Sequence, residues 1–394
     1  MARTAKGTWA SLTSWIDLRG GWPELVWGFV ILSLSFNVYG PGRPQPGDFL
    51  MVGVLCLPIL LVQFQMPAAI KLPVLSLVAF LIYVFGCNFA WAAATGEWDF
   101  FKASTFYAFN FCVFLGYLVV LGDRGDDWLR WTLYGFAATL LMLALLSVPF
   151  SDRVESGRLE LFFVNPNQLA YHVLLCASIV VMLAPRYNVP RFVLYGLLAC
   201  AVYIELRTYS RAGILGIALL AAIQFAHRPT LVTLVALPVL VVALYLDLRA
   251  LDTDLWEHRV ETVQQATTED YVTDRGIDRL YEHPEYLFAG AGEGYHLRFH
   301  HNKLEIHSSA ANLMFSYGVV GTVLFLIFLR LLSVAAGLRL TLLMIPALSF
   351  CLFHLGMRAR PFWILLAVAL GLGVLTAVEA LRARNTPPLT LADR

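Results

Sequence analysis

The residue types best suited to chemistry crowd into one stretch. His296, His300, His301 and His307 stand within twelve positions, and the last belongs to Glu305-Ile306-His307-Ser308-Ser309, after which an apolar run opens at Ala310 and continues to Leu332. A histidine therefore sits where a polar segment meets a bilayer. Ser308 or Ser309 can cap the helix that follows, which places His307 beside a helix N-terminus whose partial positive charge disfavours imidazolium. A neutral ring suits a general base. Clustered histidines also suit a metal, but neither an HExxH spacing nor a cysteine-containing ligand set accompanies them, so no metal and no other cofactor is expected.

A second group of candidates is cationic. Arg153 and Arg158, Arg207 and Arg211, and Arg358 and Arg360 occupy three short connections between apolar runs. Asp152, Glu155, Glu160 and Glu205 can pair with the first two and with Arg207. Arg211, Arg358 and Arg360 have no acidic residue close in sequence, which points to a bound anion. The guanidinium fork matches phosphate oxygens, so a phosphate or diphosphate is the ligand expected.

What must position these side chains is a membrane bundle. With 394 residues, 59% hydrophobic and 14% charged, and a mean hydropathy of +0.69, the chain is no soluble globule. It reads as an all-α polytopic membrane protein. Apolar runs near the length a bilayer requires lie at about 22–39, 48–65, 73–94, 100–121, 128–149, 166–184, 191–206, 212–226, 229–247, 308–332, 339–355 and 361–382. That is about twelve transmembrane helices with one long polar loop. Spans one to nine fill 1–247, a loop with short helices fills 248–306, and spans ten to twelve with a tail fill 307–394. No small-residue cleavage site follows the first run, which is read as a retained span. The six cysteines, Cys56, Cys87, Cys112, Cys176, Cys200 and Cys351, lie at irregular spacing inside apolar runs, as core hydrophobes do. A net charge of +1 gives no reason to expect nucleic acid.

Orientation follows from Lys and Arg in the connections. An even number of spans puts both termini on one side, and Arg3, Lys6, Arg19, Arg382, Arg384 and Arg394 make that side cytoplasmic. The long loop is then periplasmic if the cell has an outer membrane. The six arginines of the short connections lie on the outer side, against the usual charge bias. Spans six, eight, ten and twelve begin there, each with a start signal: Asn165-Pro166, Ser210-Arg211, Ser308 and Arg360-Pro361. Four positive helix ends can thus converge on a polyanion. His172 and His354 lie at a similar depth, and a core histidine bonded to a carbonyl is the plainer reading of each. In the loop, Asp274 to Pro284 suggests an amphipathic helix with Arg275 and Arg279 on one face, and Phe288 to Gly294 forms a glycine-rich turn able to approach a substrate.

These residues carry a family resemblance. His307-Ser308, nine residues, then Gly318-Val319-Val320-Gly321 resembles the His-Ser/Asn/Gln, nine residues, Gly-x-x-Gly signature of bacterial O-antigen ligases, in the O-antigen ligase and polymerase superfamily. Asn165-Pro166-Asn167 resembles the family's Asn-Pro-Asn segment, and Ser210-Arg211-Ala212-Gly213-Ile214-Leu215 resembles its Ser-Arg-x-Gly start and Arg-x-x-x-Leu spacing. Arg275 through Pro284 to Gly292 is similar to its outer-loop pattern. The similarity runs from about 160 to 365; the first 150 residues match only as apolar spans.

The resemblance implies a metal-independent membrane glycosyltransferase acting on the periplasmic face of the inner membrane, with an undecaprenyl-diphosphate-linked glycan as donor. His307 would be the base, and Arg211 and Arg275 would hold the diphosphate, with Arg207 a weaker candidate. Asn167, His172, Arg358 and Arg360 match no motif firmly and join the site by geometry alone. A ligase would use lipid A-core as acceptor and a polymerase a further glycan repeat unit; the His-Ser pattern tips the reading toward ligase. Transfer to a protein hydroxyl is a third activity of such enzymes. From other classes, a lipid-linked glycan flippase would place its charges near the midplane and show repeat symmetry, and a non-catalytic polysaccharide co-factor would not depend on His307.

Overall fold

The computed structural model describes residues 21–39, 43–61, 66–149, 158–227, 272–273, 275–299 and 305–385. The run expected at 229–247, the loop from 248 to 271, Asp274, Arg153, His300, His301 and both chain ends lie outside the described residues. Within them, every regular element is helical. In chain order these are α1 (Trp22–Ser33), α2 (Pro46–Leu61, with a π-helical stretch at Val52–Cys56), α3 (Ala68–Thr95), α4 (Asp99–Arg124), α5 (Asp126–Ser147), α6 (Pro166–Leu183), α7 (Arg191–Thr208), α8 (Arg211–His227), α9 (Ser309–Ala336), α10 (Leu338–Phe353) and α11 (Arg360–Asn385).

Six of these, α3, α4, α5, α6, α9 and α11, are long and apolar enough to cross a membrane, and α1, α2, α8 and α10 are shorter apolar helices. The fold is all-α and of the membrane kind. Helix α7 has the length of a span, but its 18 residues include Arg191, Glu205 and Arg207. Most expected boundaries agree with the helices to within a few residues. Two do not. The first run ends as a helix at Ser33, where the Ser33 hydroxyl donates to the Val30 carbonyl at 2.6 Å and tight turns follow through Phe36. The helix expected from 274 to 284 is a single turn, Arg279–Glu282, because Gly276 takes a left-handed φ of 67° before it and Pro284 starts a 3-10 turn after it.

Helix α6 is buried almost all round, from Leu169 to Leu183, and so is α11 from Pro361 to Val374. These two form the axis. Around α6 pack α5, α7, α8 and α10; α4 and α9 pack on α11, and α3 covers α4 and α9. Helices hydrophobic on every side belong inside a bundle, and those with one lipid-facing side surround them.

The segment 275–299 is anchored to this bundle. Arg298 lies over the rings of Phe299, Trp91 and Phe100 at 4.3, 4.7 and 4.9 Å, a partly buried cation–π arrangement. The glycine-rich stretch meets α9 where that helix breaks. Gly318 has φ 63° and ψ −170°, and a side chain there would collide with the Phe288 carbonyl. The released groups pair with the loop: Ala291 N–H donates to the Phe315 carbonyl at 2.9 Å, Gly292 N–H to Ser316 at 2.8 Å, and Val319 N–H to the Leu287 carbonyl at 2.7 Å. This turn therefore approaches helix backbone, which corrects its reading as a segment poised against substrate.

Candidate functional site

The site is assembled from three helix starts and two helix ends. Asn165 is extended, and its side chain accepts the Gln168 N–H at 3.0 Å, so α6 begins on an Asn cap with Pro166 in its first turn. Helix α7 stops at Thr208 because Tyr209 turns left-handed, with φ 51°. After Ser210 the chain starts α8 at Arg211. This two-residue corner brings Arg207, in the last turn of α7, near Arg211, the first residue of α8.

Arg158 ties that corner to α6. Its Nε donates to the Thr208 carbonyl at 2.9 Å and its Nη2 to Asn167 Oδ1 at 3.3 Å, while Leu159 N–H donates to the Arg207 carbonyl at 2.9 Å. Asn167 is thus a support for Arg158. The side chains of Arg207 and Arg211 make no ion pair or hydrogen bond among the described residues. Arg211 is exposed and Arg207 half-buried.

His307 lies exposed at the start of α9. Ser308, and not Ser309, is the cap: its hydroxyl accepts the Ala311 N–H at 3.2 Å and donates to the Leu352 carbonyl at 2.8 Å. Ser309 donates from both backbone and hydroxyl to the His354 carbonyl, at 3.1 and 3.0 Å. Arg275 completes the joint. It accepts the His307 N–H on its own carbonyl at 2.9 Å, and its guanidinium donates to the carbonyls of His307 and Phe353. The start of α9 and the end of α10 are stitched into one unit carrying His307, Arg275 and His354.

His354 is half-buried, its ring 4.7 Å from that of Phe350. Burial, reinforced by the nearby positive groups Arg275, His307 and Arg158, pushes its imidazole down to about 4. Arg158 acts on His354 from the segment before α6, and α8 packs on α10, so the α6–α8 corner and the α9–α10 joint are neighbours.

Arg358 and Arg360 are placed differently. Arg358 donates to Glu293 and Glu305, each at 2.6 Å. Arg360 donates to Asp48 at 2.5 Å and to Asn37 at 3.5 Å. The lack of acidic neighbours along the chain does not hold in space, so the anion expected at these two arginines loses its basis. Burial raises the Glu293 carboxyl, but the Arg358 guanidinium outweighs it, with help from His296 and the Tyr317 hydroxyl, and holds the group below its ordinary value. Tyr317 donates to Glu293 at 3.0 Å, and the Glu293 N–H donates to Asn88 at 2.8 Å. Burial likewise pushes His296 down to about 4, against the pull of Glu293 and Glu305.

His172 is buried, 3.2 Å from the Ser35 hydroxyl and against the Phe163 ring. It packs as a satisfied core histidine, apart from the arginine corner. Glu205, expected as a partner for Arg207, is instead fully buried against Gly213, with neither oxygen hydrogen-bonded among the described residues.

Of the residues singled out from sequence, His307, Arg275, Arg207, Arg211 and Asn167 come to this end of the bundle together. Sequence reasoning did not foresee the contacts of Arg158 with Thr208 and Asn167, and it put His172 but not His354 among the site residues. No protein-family model matches this chain, and no curated protein is significantly similar to it.

Proposed function

We propose that the chain is a membrane glycosyltransferase that moves a glycan from undecaprenyl diphosphate onto a sugar hydroxyl, with lipid A-core the favoured acceptor. The observation that carries this reading is the corner at Arg207 and Arg211, whose guanidiniums have no partner among the described residues and which faces an exposed histidine across a bundle end. Two cations without a counter-ion among the described residues, beside the N-termini of α6, α8 and α9, form a setting for a diphosphate. In this reading the bundle has twelve spans, the 229–247 run among them. Both termini are cytoplasmic, and the site opens to the periplasm.

His307 takes the proton of the acceptor hydroxyl as its oxygen attacks the anomeric carbon. The bond from that carbon to the phosphate oxygen breaks, and the electron pair leaves with the diphosphate. Arg211, Arg275 and Arg207 stabilise the negative charge that grows there, donors placed before the reaction begins. The proton taken up by His307 then passes to solvent.

The test is transfer by the purified protein from undecaprenyl-diphosphate glycan, with lipid A-core and glycan repeat units offered separately. Replacing a general base costs about 10²- to 10⁴-fold in rate, which is the loss expected for His307→Ala. Product on lipid A-core identifies a ligase and lengthened glycan a polymerase, which needs the same donor site. Absence of transfer to either, or full activity in the variant, rejects the reading.

A further inference from the structure

We infer that His354 is a second histidine of the site and that its imidazole N–H donates a hydrogen bond to the bound diphosphate, between Arg158 and Arg275. This rests on the anion site proposed above and adds a donor to it.

Three observations carry the inference. The first is position. The His354 backbone is locked to the joint that holds His307, because its carbonyl accepts two hydrogen bonds from Ser309 and a third from the Gly356 N–H at 2.8 Å. The second is orientation. The ring lies against Phe350, which itself stacks on Tyr171 at 4.3 Å. This tilted contact, at 32° between the planes, holds one face of the imidazole and leaves its nitrogens without a hydrogen bond among the described residues. The third is charge. Among the described residues, the charged or titratable groups that act on the ring are Arg275 and His307, from the loop and the start of α9, and Arg158 from the segment before α6. All three are cationic or able to become so.

A pre-positioned donor with no partner among the described residues, within reach of the charge of two guanidiniums, matches an anion. The same surroundings decide its protonation. A third full charge at this point would repel the arginines whenever the site is empty, and the imidazole is accordingly held neutral down to about pH 4. A neutral imidazole still offers one N–H, as an uncharged electrophilic donor. It is a poor base, because the imidazolium it would form is disfavoured. The two histidines therefore divide the work: the exposed His307 accepts the proton, and the half-buried His354 binds the leaving group.

The test is binding of farnesyl diphosphate to the full-length detergent-purified protein, with His354→Ala, His354→Gln, Arg211→Ala and Arg275→Ala compared with wild type and melting curves recorded for each. A hydrogen bond to a charged group predicts a loss of roughly tenfold to a hundredfold for His354→Ala. His354→Gln, whose amide supplies an uncharged N–H, should bind within about threefold of wild type on the same principle. In a His307→Gln background, the protein that keeps His354 and the one that also carries His354→Gln should show the same pH dependence of affinity between pH 5.5 and 7.5, since His354 does not titrate there. Wild-type affinity in His354→Ala beside a weakened Arg211→Ala overturns the inference and leaves the anion site standing. Equal losses in the Ala and Gln variants overturn it too, as does an affinity that rises on acidification only when His354 is present. Unchanged binding in Arg211→Ala and Arg275→Ala removes the anion site itself.

Discussion

Two sets of arginines share one end of this bundle, and their neighbours divide them. Arg358 lies between two carboxylates at 2.6 Å and reaches through Glu293 to Tyr317. Arg207 and Arg211, in contrast, meet no carboxylate among the described residues, although Glu205 is only two positions from Arg207. That acid turns away, toward the space above Gly213. A charge is compensated by what the fold brings to it: the two partners of Arg358 come from 65 and 53 residues away and the carboxylate of Arg360 from 312. Arg358 fastens the loop to the bundle and Arg360 fastens the start of α2 to it, whereas the second set carries no counter-ion among the described residues.

The largest effect that would break this contrast is on stability. Glu293→Gln removes one member of a buried pair, and leaving its partner charged and half-satisfied costs about 3–5 kcal/mol. The melting transition in detergent should fall accordingly, while protein that remains folded binds farnesyl diphosphate as before. A wild-type melt would show that Arg358 does not hold the loop. Arg211→Ala should do the reverse. An exposed side chain without partners changes stability by about 0.5 kcal/mol or less, whereas diphosphate affinity should drop roughly tenfold to a hundredfold. Equal damage to folding and binding would erase the distinction.

A smaller effect is expected with pH. His296 and His354 are both pushed down to about 4, from an ordinary value of 6.5, and Glu293 is held below 4.5. In each case the folded value lies below the unfolded one, so acidification loads protons onto the unfolded chain first. Stability from the histidines is complete above pH 6.5 and is lost as the pH falls toward 4, with Glu293 adding its share only below about 4.5. Melting temperatures across pH 7.5 to 4 should decline in that order, and His296→Gln should flatten the upper part. A melting temperature that rises on acidification would contradict the placement of these histidines.

Much of the bundle was legible because hydropathy and caps are local. The run at 166–184 is helix Pro166–Leu183, opened by the Asn165 cap, and the run at 361–382 is helix Arg360–Asn385. His307 beside a serine cap was legible for the same reason. Pairings across the bundle were not. Nothing in the spacing told His354 from His172, one joining the α9 cap and the other meeting Ser35. Nor did any local signal show that Arg158 would reach Thr208 and Asn167. The Gly-x-x-Gly of α9 was visible as a pattern, but its cause, the passage of the loop across Gly318, is tertiary.

The break at Gly318 also constrains the order in which the protein is made. A spanning helix normally carries its own backbone hydrogen bonds into lipid, where each open group costs several kcal/mol. Helix α9 is an exception, because its Phe315 and Ser316 carbonyls and its Val319 amide find their partners in residues 287–292. That segment precedes α9 in the chain, so the ribosome has finished it before the helix emerges. The broken helix enters the bilayer with its missing strand of partners already synthesised, and a circular permutant opened between 292 and 309 would have to insert α9 without them.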